Sequence, residues 1–249
     1  MIKRIGPTEL DKKYFSLQPY KPTPIKANFD NVIVNKPWGC EYLMFKNPEA
    51  EIWHLSISHQ RSTSMHCHPA KKTALVVLEG RALFSSLNES IELHPLDTVI
   101  IAPGTFHSTQ SLSSAGTKVL EFETPPMKHD LFRLEDKYGR AQKGYEDRKE
   151  MTVDKSRIRL AKKDFGKINN LGTKKACIKL INNLKDIRSI NTNHFELAIL
   201  TSGSMVSGGT QESRKYLPPY AMSIEELKEV ECKFNNVCVF LLGRHYEEK

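Results

Sequence analysis

The chain has 249 residues, of which 39% are hydrophobic and 27% charged, a composition that excludes collagen-like, disordered and disulfide-scaffold proteins. Five cysteines without a CxxC pair indicate reduced thiols, and we therefore expect a cytoplasmic protein. No apolar run is long enough to cross a membrane, and the N-terminal residues lack the apolar segment of a secretory signal.

The net charge of +8 is concentrated in residues 137–188, which contain 16 basic and 6 acidic residues. This stretch has few aromatic residues and no nucleic-acid-binding motif, so we expect no nucleic-acid partner. A solvated basic face, or one that contacts an anionic small molecule or a partner subunit, fits the pattern better.

The first half of the chain predicts an arm followed by a β domain. Residues 1–35 contain four prolines and little periodicity, which predicts an extended N-terminal arm. From Val32 to Pro126, short apolar runs alternate with turn residues, as in an all-β sandwich or barrel. The predicted strands lie within residues 51–58, 73–80, 81–87, 90–96, 97–104 and 117–124.

The remaining chain predicts a charged linker over 127–155 and a second β unit. Residues 196–207 loosely repeat the strand–Gly–strand pattern of 74–86, and 235–244 resemble the closing strand at 117–126. This repetition favours two related β units. In the second unit, Ser223 and Glu226 have the spacing of a capping box, which predicts a helix from Ser223.

Three histidines carry the strongest chemical signal. His66 and His68 are two residues apart, so a strand places both on one face. His107 follows a Pro-Gly turn at the start of another predicted strand. If these strands are neighbours in a small barrel, the three imidazoles meet in one pocket and form a metal site. The alternative is three scattered surface histidines.

At these residues the sequence resembles the cupin superfamily. His66-Cys67-His68 with Gly80 matches the first cupin motif, and residues 102–107 match the second. Residues 36–140 are similar in particular to the cupin domain of type II mannose-6-phosphate isomerases, which is often fused to mannose-1-phosphate guanylyltransferases. The similarity is carried by Lys36-Pro37-Trp38-Gly39, by VLEFET at 119–124 and by DLFRLEDKYGR at 130–140.

The resemblance implies a jelly-roll cupin barrel, or double-stranded β-helix, over residues 36–140. Residues 141–249 would then contain the linker and a degenerate second barrel, which makes the protein a bicupin. No nucleotidyltransferase motif is present, so the transferase activity is not implied. The charges in 130–140 are expected to form an ion-pair network that closes the barrel.

The chain departs from that family at the implied metal site. Thr73 stands where the family has a metal-binding glutamate, and His66 stands where it usually has a glutamine. We expect His66, His68 and His107 to hold a divalent ion (Zn, Fe, Mn or Ni) as a neutral three-histidine set.

Acidic and basic residues near the motifs are candidates for catalysis. Glu121 and Glu123 alternate with Phe122, so either this pair or Phe122 faces inward. An inward carboxylate would be a general base or a metal ligand, whereas at the rim both would be solvated. Lys71 could act on a phosphate or carboxylate as a point charge, the alternative being an exposed turn.

Four further residues are candidates for substrate binding. Lys72 and Arg61 flank the first motif and are expected to attract an anionic group. Trp38 is a candidate stacking surface for a sugar ring. Together with Tyr42, it would otherwise pack the end of the barrel.

The sequence thus predicts a metal-dependent isomerase or epimerase of a sugar phosphate or nucleotide sugar, for example in surface polysaccharide biosynthesis. We expect a homodimer with a small anionic substrate and no membrane partner. Two alternatives stay open. One is a non-catalytic cupin that binds a sugar or small anion, and the other is a three-histidine non-haem iron dioxygenase.

Overall fold

The computed structural model describes residues 1–17, 20, 27–140, 145–146, 148–171, 176–191, 194–206, 214–230 and 237–244. The chain divides into two compact units, one of Met1 and Lys3–Arg157 and the other of Ile2 and Ile158–Lys249. The first unit is therefore longer than the predicted barrel of 36–140. It also takes in the predicted linker, of which residues 141–144 and 147 lie outside the described part.

The first unit consists of β-strands, most of them paired antiparallel, and one described α-helix. In chain order its elements are β1 (Ile2–Ile5), α1 (Glu9–Ser16), β2 (Val32–Lys36), β3 (Gly39–Lys46), β4 (Glu51–Ile57), β5 (Met65–Cys67), β6 (Lys72–Glu79), β7 (Ala82–Ser86), β8 (Ser90–Leu93), β9 (Thr98–Ile101), β10 (His107–Ser111), β11 (Thr117–Thr124), β12 (Phe132–Glu135) and β13 (Met151–Val153).

Strands β4 to β11 form a jelly roll. One sheet contains the order β9-β6-β11-β4 and the other contains β5-β10-β7-β8, which is the strand order of two Greek keys facing each other. β1 extends the larger sheet at one edge and β3, β2 and β13 extend it at the other, while β12 extends the smaller sheet. The prediction of an all-β protein with a double-stranded β-helix is confirmed.

The N-terminal residues differ from the extended arm predicted over 1–35. β1 pairs with β9, and α1 begins after Thr8, whose hydroxyl oxygen accepts a hydrogen bond from the Asp11 amide at 3.3 Å. The Asp11 carboxylate accepts the Thr8 amide in return at 2.7 Å, which completes a capping box. Prolines flank this helix rather than interrupt it. Residues 18–19 and 21–26 lie outside the described part.

The interior of the jelly roll changes from apolar to polar along its strands. On β11 the inward side chains are Val119, Glu121 and Glu123, because alternate residues share a face. Val77, Leu75 and Thr73 of β6 are their register partners. The Val119 end belongs to the hydrophobic core, and the Glu123 end opens into a polar pocket.

The second unit is built around a single described five-stranded sheet. Its elements are β14 (Ile168–Asn170), β15 (Ala176–Ile181), α2 (Leu184–Arg188), β16 (Leu197–Ser202), β17 (Met205–Val206), β18 (Lys215–Tyr216), β19 (Tyr220–Ser223), α3 (Ile224–Glu229) and β20 (Cys238–Arg244). The sheet has the order β14-β15-β20-β16-β19, and β17 pairs with β18 separately.

The second unit reproduces part of the predicted pattern. Gly203 separates β16 from β17, and β20 is the expected closing strand, although residues 207, 235 and 236 of the compared segments lie outside the described part. The predicted helix is α3, and the Ser223 hydroxyl accepts the Glu226 amide at 3.0 Å. A second barrel would need two facing sheets, so the bicupin assignment stays a prediction.

The cysteines at positions 40, 67, 177 and 238 are free thiols, while Cys232 lies outside the described part. No helix among the described residues has the length and apolarity needed to cross a membrane.

We expect Gly39→Ala to destabilise the first unit by at least about 2 kcal/mol. Gly39 has a φ of +145°, and an added Cβ would lie 2.0 Å from the Ser56 carbonyl oxygen, so β3 and β4 would have to separate. Chemical denaturation of both proteins measures the effect. Gly139→Ala is the control, because φ is also positive there but no atom lies within 4 Å. An equal loss in the two variants would contradict the steric explanation.

Candidate metal centre

The smaller sheet brings the three predicted histidines together. His66 lies on β5 and His107 is the first residue of β10, and the two are register partners in the antiparallel pair. His68 follows β5 directly, and its carbonyl oxygen accepts the amide of Gly104 at 2.8 Å. This bond joins the loop after the first motif to the Pro-Gly turn of the second, so both motifs meet at one end of the jelly roll.

The imidazole rings converge on one point. The ring centroid of His66 lies 5.0 Å from that of His68 and 4.5 Å from that of His107, and the last two are 5.5 Å apart. One nitrogen from each ring lies within 4.8 Å of the other two. The predicted cluster of His66, His68 and His107 therefore forms, and the three residues could hold a metal ion.

Each ring is oriented by a backbone carbonyl group. His66 Nδ1 is 2.8 Å from the Ser64 oxygen, His68 Nδ1 is 2.6 Å from the Asp130 oxygen, and His107 Nδ1 is 3.0 Å from the Thr105 oxygen. Because a carbonyl oxygen only accepts, each Nδ1 carries the proton and donates it. The lone pair is then on Nε2, the arrangement in which a histidine binds a metal ion.

Burial keeps the three imidazoles neutral. It lowers the pKa of His66 well below its usual value, and repulsion from His107 and His68 lowers it further. Burial, followed by the charge of Lys71, does the same to the pKa of His68, and burial also lowers the pKa of His107. Neutral rings can donate a lone pair without first losing a proton.

The unsatisfied nitrogens fit a divalent ion. Nε2 of His68 and Nε2 of His107 are buried without a hydrogen-bond partner among the described residues. Two nitrogens bound at about 2.1 Å to one tetrahedral ion lie about 3.4 Å apart, so nitrogens that lie within 4.8 Å of one another have to approach by at most about 1.4 Å. Ion binding therefore requires a closure of the rings of no more than this size.

Both candidate carboxylates face the pocket, and Phe122 faces away. Glu121 Oε1 lies 3.8 Å from His68 Nε2. Glu123 Oε1 is paired with Lys71 Nζ at 2.8 Å and with Lys128 Nζ at 3.1 Å. Residues two apart on a strand share a face, and both glutamates are buried, so they are not solvated charges at the rim.

The structure brings some of the other candidates to the pocket but not all. Lys71 and Trp38 line it, and Lys71 is almost completely buried rather than part of an exposed turn. Lys72 points to the other face of β6, since strand neighbours alternate, and Arg61 is exposed outside the pocket. Tyr42 also lies on the opposite face of its strand, where its ring stacks on His54 at 4.9 Å.

One wall of the pocket is an ion-pair network that the sequence did not reveal as a site. Lys128 Nζ lies 3.3 Å from Glu41 Oε1, and Lys36 Nζ lies 3.3 Å from the same oxygen. The Tyr145 hydroxyl donates a hydrogen bond to Glu41. Apart from Lys36, which lies in a segment that carries the family resemblance, no local motif marks these residues, because they come from positions about a hundred residues apart that only the folded sheet brings together.

The charges of residues 130–140 form an ion-pair network, as the sequence predicted, but they also line the pocket. Arg140 pairs with Asp136 at 2.7 Å and with Glu146 at 2.6 Å, while Arg133 lies 3.7 Å from Glu146. Both arginines reach the pocket surface. The network therefore belongs to the site as well as to the closure of the barrel.

The pocket encloses about 570 Å³ including its open mouth. Its charged lining comprises the basic residues Lys36, Lys71, Lys128, Arg133 and Arg140 and the acidic residues Glu41, Glu121 and Glu123.

Asp130 fixes the loop that carries His68. Its backbone oxygen accepts a hydrogen bond from Nδ1 of His68, and its Oδ2 accepts hydrogen bonds from the backbone amides of Ala70 at 2.9 Å and Lys71 at 2.8 Å. Its Oδ1 accepts the Tyr20 hydroxyl at 2.8 Å. A single buried residue thus positions a candidate metal ligand and the backbone of Lys71, a role for which the sequence carried no separate signal.

Comparison with known proteins gives limited similarity. No protein-family model matches the chain. A stretch of 68 residues is 32% identical to MJ1618, an uncharacterized protein of Methanocaldococcus jannaschii, and covers 27% of this chain and 54% of that protein. The chain thus spans about half the length of this relative.

Parts of several solved structures are similar to parts of this chain. CapF, a capsular polysaccharide assembling protein from Staphylococcus aureus, is 19% identical over 42% of this chain and 34% of its own, with a TM-score of 0.38. KdgF from a Halomonas species is 17% identical over 36% and 82%, with a TM-score of 0.35. A double-stranded β-helix protein from Klebsiella pneumoniae is 14% identical over 39% and 79%, with a TM-score of 0.36. The fold assignment rests on the strand order of the two sheets.

Asp130→Asn should lower metal affinity by roughly 10–100-fold, the usual cost of losing a residue that orients a ligand. An amide cannot accept all three hydrogen bonds now made to the carboxylate, so the His68 loop would shift. Metal competition titration measures the loss. Tyr20→Phe removes one of the three bonds and should have a smaller effect, and unchanged affinity in Asp130→Asn would contradict the assigned role.

The buried carboxylate of Glu41 should make stability depend on acid pH. Burial raises the pKa of Glu41, but Lys128 and Lys36 outweigh it and lower the pKa to about 2. Because this pKa is lower in the folded than in the unfolded state, the ionised Glu41 carboxylate stabilises the protein at pH values above about 4.5. This stabilisation is lost as the pH falls toward 2.

At pH 7, Glu41→Gln should cost about 3–5 kcal/mol because it leaves two buried lysines without this partner. The difference from wild type should narrow as pH falls from about 5 to 2 in urea unfolding. Glu92→Gln is the control, since the Arg81–Glu92 pair is 53% and 40% exposed and should contribute at most about 1 kcal/mol. A pH-independent cost for Glu41→Gln would overturn this account.

Proposed function

We propose that this protein is a metal-dependent enzyme that isomerises or epimerises an anionic sugar derivative, such as a sugar phosphate or a nucleotide sugar. The observation that carries the proposal is the set of three imidazoles whose Nδ1 atoms donate to backbone carbonyls, in a pocket that also contains carboxylates and buried cations. Such a site can bind a metal ion and an anion side by side, and its own carboxylates and lysines can transfer protons.

The metal would be held by His66, His68 and His107. Imidazole nitrogens suit Zn, Fe and Ni, and a nearby carboxylate extends the range to Mn. A bound divalent ion supplies a Lewis acid that polarises a carbonyl or hydroxyl oxygen of the substrate.

Proton transfer would be the task of the residues on β11 and of Lys71. The proton-transfer route of isomerisation or epimerisation needs a base that removes a proton next to a carbonyl group and an acid that returns it. Glu121 and Glu123 offer two carboxylates on one face of the pocket. Lys71 Nζ, 2.8 Å from Glu123, offers an ammonium group that can hold that carboxylate in place or donate a proton.

The charge of the pocket supports an anionic substrate. Five basic side chains line it against three acidic ones, and Lys71, Lys36 and Lys128 are each nearly completely buried. Buried positive charge attracts an anion into a water-poor site. Trp38, on the same surface, offers an apolar face to a sugar ring.

We further propose that the protein is a cytoplasmic homodimer that acts without a nucleic-acid or membrane partner. Its reaction would belong to carbohydrate metabolism, and the sequence resemblance points to surface polysaccharide biosynthesis.

Purified wild-type protein should contain close to one equivalent of divalent metal by elemental analysis. The double variant His66→Ala/His68→Ala should lose it, whereas His94→Ala, at an exposed histidine, should not. Equal trace metal in all three proteins would overturn the proposal, because every step assigned above depends on the ion.

Catalysis is tested by incubating the metal-loaded protein with aldose and ketose phosphates and with nucleotide sugars in D₂O without oxygen. Proton NMR should show the signal of the hydrogen next to the carbonyl carbon disappear from substrate or product as deuterium replaces it, as a proton-transfer reaction requires. Oxygen consumption that depends on Fe(II) would instead identify a dioxygenase. Tight binding of a sugar or anion without exchange or turnover would identify a binding module.

A further inference from the structure

We propose that Glu121 of β11 is the fourth, anionic ligand of the metal ion, which makes the site a three-histidine, one-glutamate centre. This inference rests on the metal site of the proposed function and adds a ligand to it. Glu121 Oε1 lies 3.8 Å from His68 Nε2, and both side chains are almost completely buried.

The distance between these two atoms suits a shared ion. Atoms bound at about 2.0–2.2 Å to one ion are at most about 4.2 Å apart, and the separation of 3.8 Å is inside this limit. His68 Nε2 has no hydrogen-bond partner among the described residues, so an ion between the two atoms would satisfy it. A direct hydrogen bond would need a much shorter separation.

Glu121 also differs from the other two carboxylates of the pocket, because it forms no ion pair with a lysine or arginine of the described residues. Glu123 is engaged by Lys71 and Lys128, and Glu41 is engaged by Lys128 and Lys36. Within the described part of the chain, no lysine or arginine lies at ion-pair distance from Glu121. A buried carboxylate without a cation is costly, and a metal ion would supply the missing charge.

A divalent ion at this site would also need Glu121, because three neutral imidazoles contribute no negative charge. A divalent ion held only by neutral ligands would leave two positive charges in a pocket that already contains buried lysines. One carboxylate ligand halves that excess. The strand register makes this ligand available on β11, since Glu121 stands opposite Leu75 and no carboxylate faces it from β6.

This assignment divides the two glutamates between different tasks. Glu121 would be fixed on the ion, and Glu123 with Lys71 would carry out proton transfer. A set of three nitrogens and one oxygen suits Fe, Zn and Ni. It also suits Mn, which a purely nitrogen set binds less well.

The test compares metal affinity in Glu121→Gln and Glu123→Gln, two isosteric changes on the same face of one strand. Apo protein is titrated with Zn²⁺, Mn²⁺ and Co²⁺ against a competing chelator. Glu121→Gln should weaken binding by at least roughly tenfold, since even residues that only orient a ligand contribute about 10–100-fold. Glu123→Gln should weaken it much less. Equal losses, or no loss in Glu121→Gln, would overturn the inference.

A second variant distinguishes a direct ligand from a structural role. Glu121→His should bind metal again, and X-ray absorption of the Zn²⁺ protein should count four imidazoles where wild type has three. An unchanged count of three in a folded Glu121→His would overturn the inference. If wild type itself binds no stoichiometric metal, the proposed function fails as well. If Glu121 is needed for metal but no sugar derivative is turned over, the ligand assignment stands and the proposed function fails.

Discussion

The hydrogen bonds from the three Nδ1 atoms to backbone carbonyl oxygens determine what the pocket can do. A side chain as partner could rotate or change its protonation, whereas these carbonyls belong to strand ends and to the loop at Asp130. The proton is thereby fixed on one side of each ring and the lone pair on the other. The direction of the three lone pairs is fixed by the backbone, so the jelly roll itself prepares the centre.

The same end of the barrel places charges where few water molecules reach. Glu41 is shared between two lysines and a tyrosine hydroxyl, and Glu123 is shared between Lys71 and Lys128. Lys128 also lies 3.8 Å from the centre of the Trp53 ring, a cation–π contact that holds the ammonium group against an apolar wall. Removal of one member leaves its partners buried and uncompensated, so the wall behaves as one unit.

The sequence predicted those parts of the site that local patterns encode. The spacing of His66 and His68 and the turn before His107 were sufficient to predict the cluster. The alternating strands predicted an all-β sandwich or barrel, and the sequence resemblance narrowed this to a jelly roll. The orientations of Tyr42 and Lys72 depend on which strand face points inward, and single positions in a strand do not reveal this. The role of Glu41 depends on contacts across the sheet that no short motif marks.

The N-terminal residues show the same limit. The four prolines led to the prediction of an extended arm, although the segment contains a helix that begins after Thr8. Thr8 and Asp11 have the spacing of a capping box, with aspartate in place of the more common glutamate. The buried Asp11 carboxylate also accepts the amide of Phe106, next to the candidate ligand His107. The segment predicted as an arm therefore supports the second motif.

The bonds around the histidine loops join distant parts of the chain. His68 reaches Asp130 across 62 positions, and Asp11 reaches Phe106 across 95. Contacts of this range form slowly, because large loops have to close first. An ion that binds only the assembled loops draws the folding equilibrium toward the native state. Metal supply during synthesis would then influence the amount of protein that accumulates in the cell, independently of its effect on turnover.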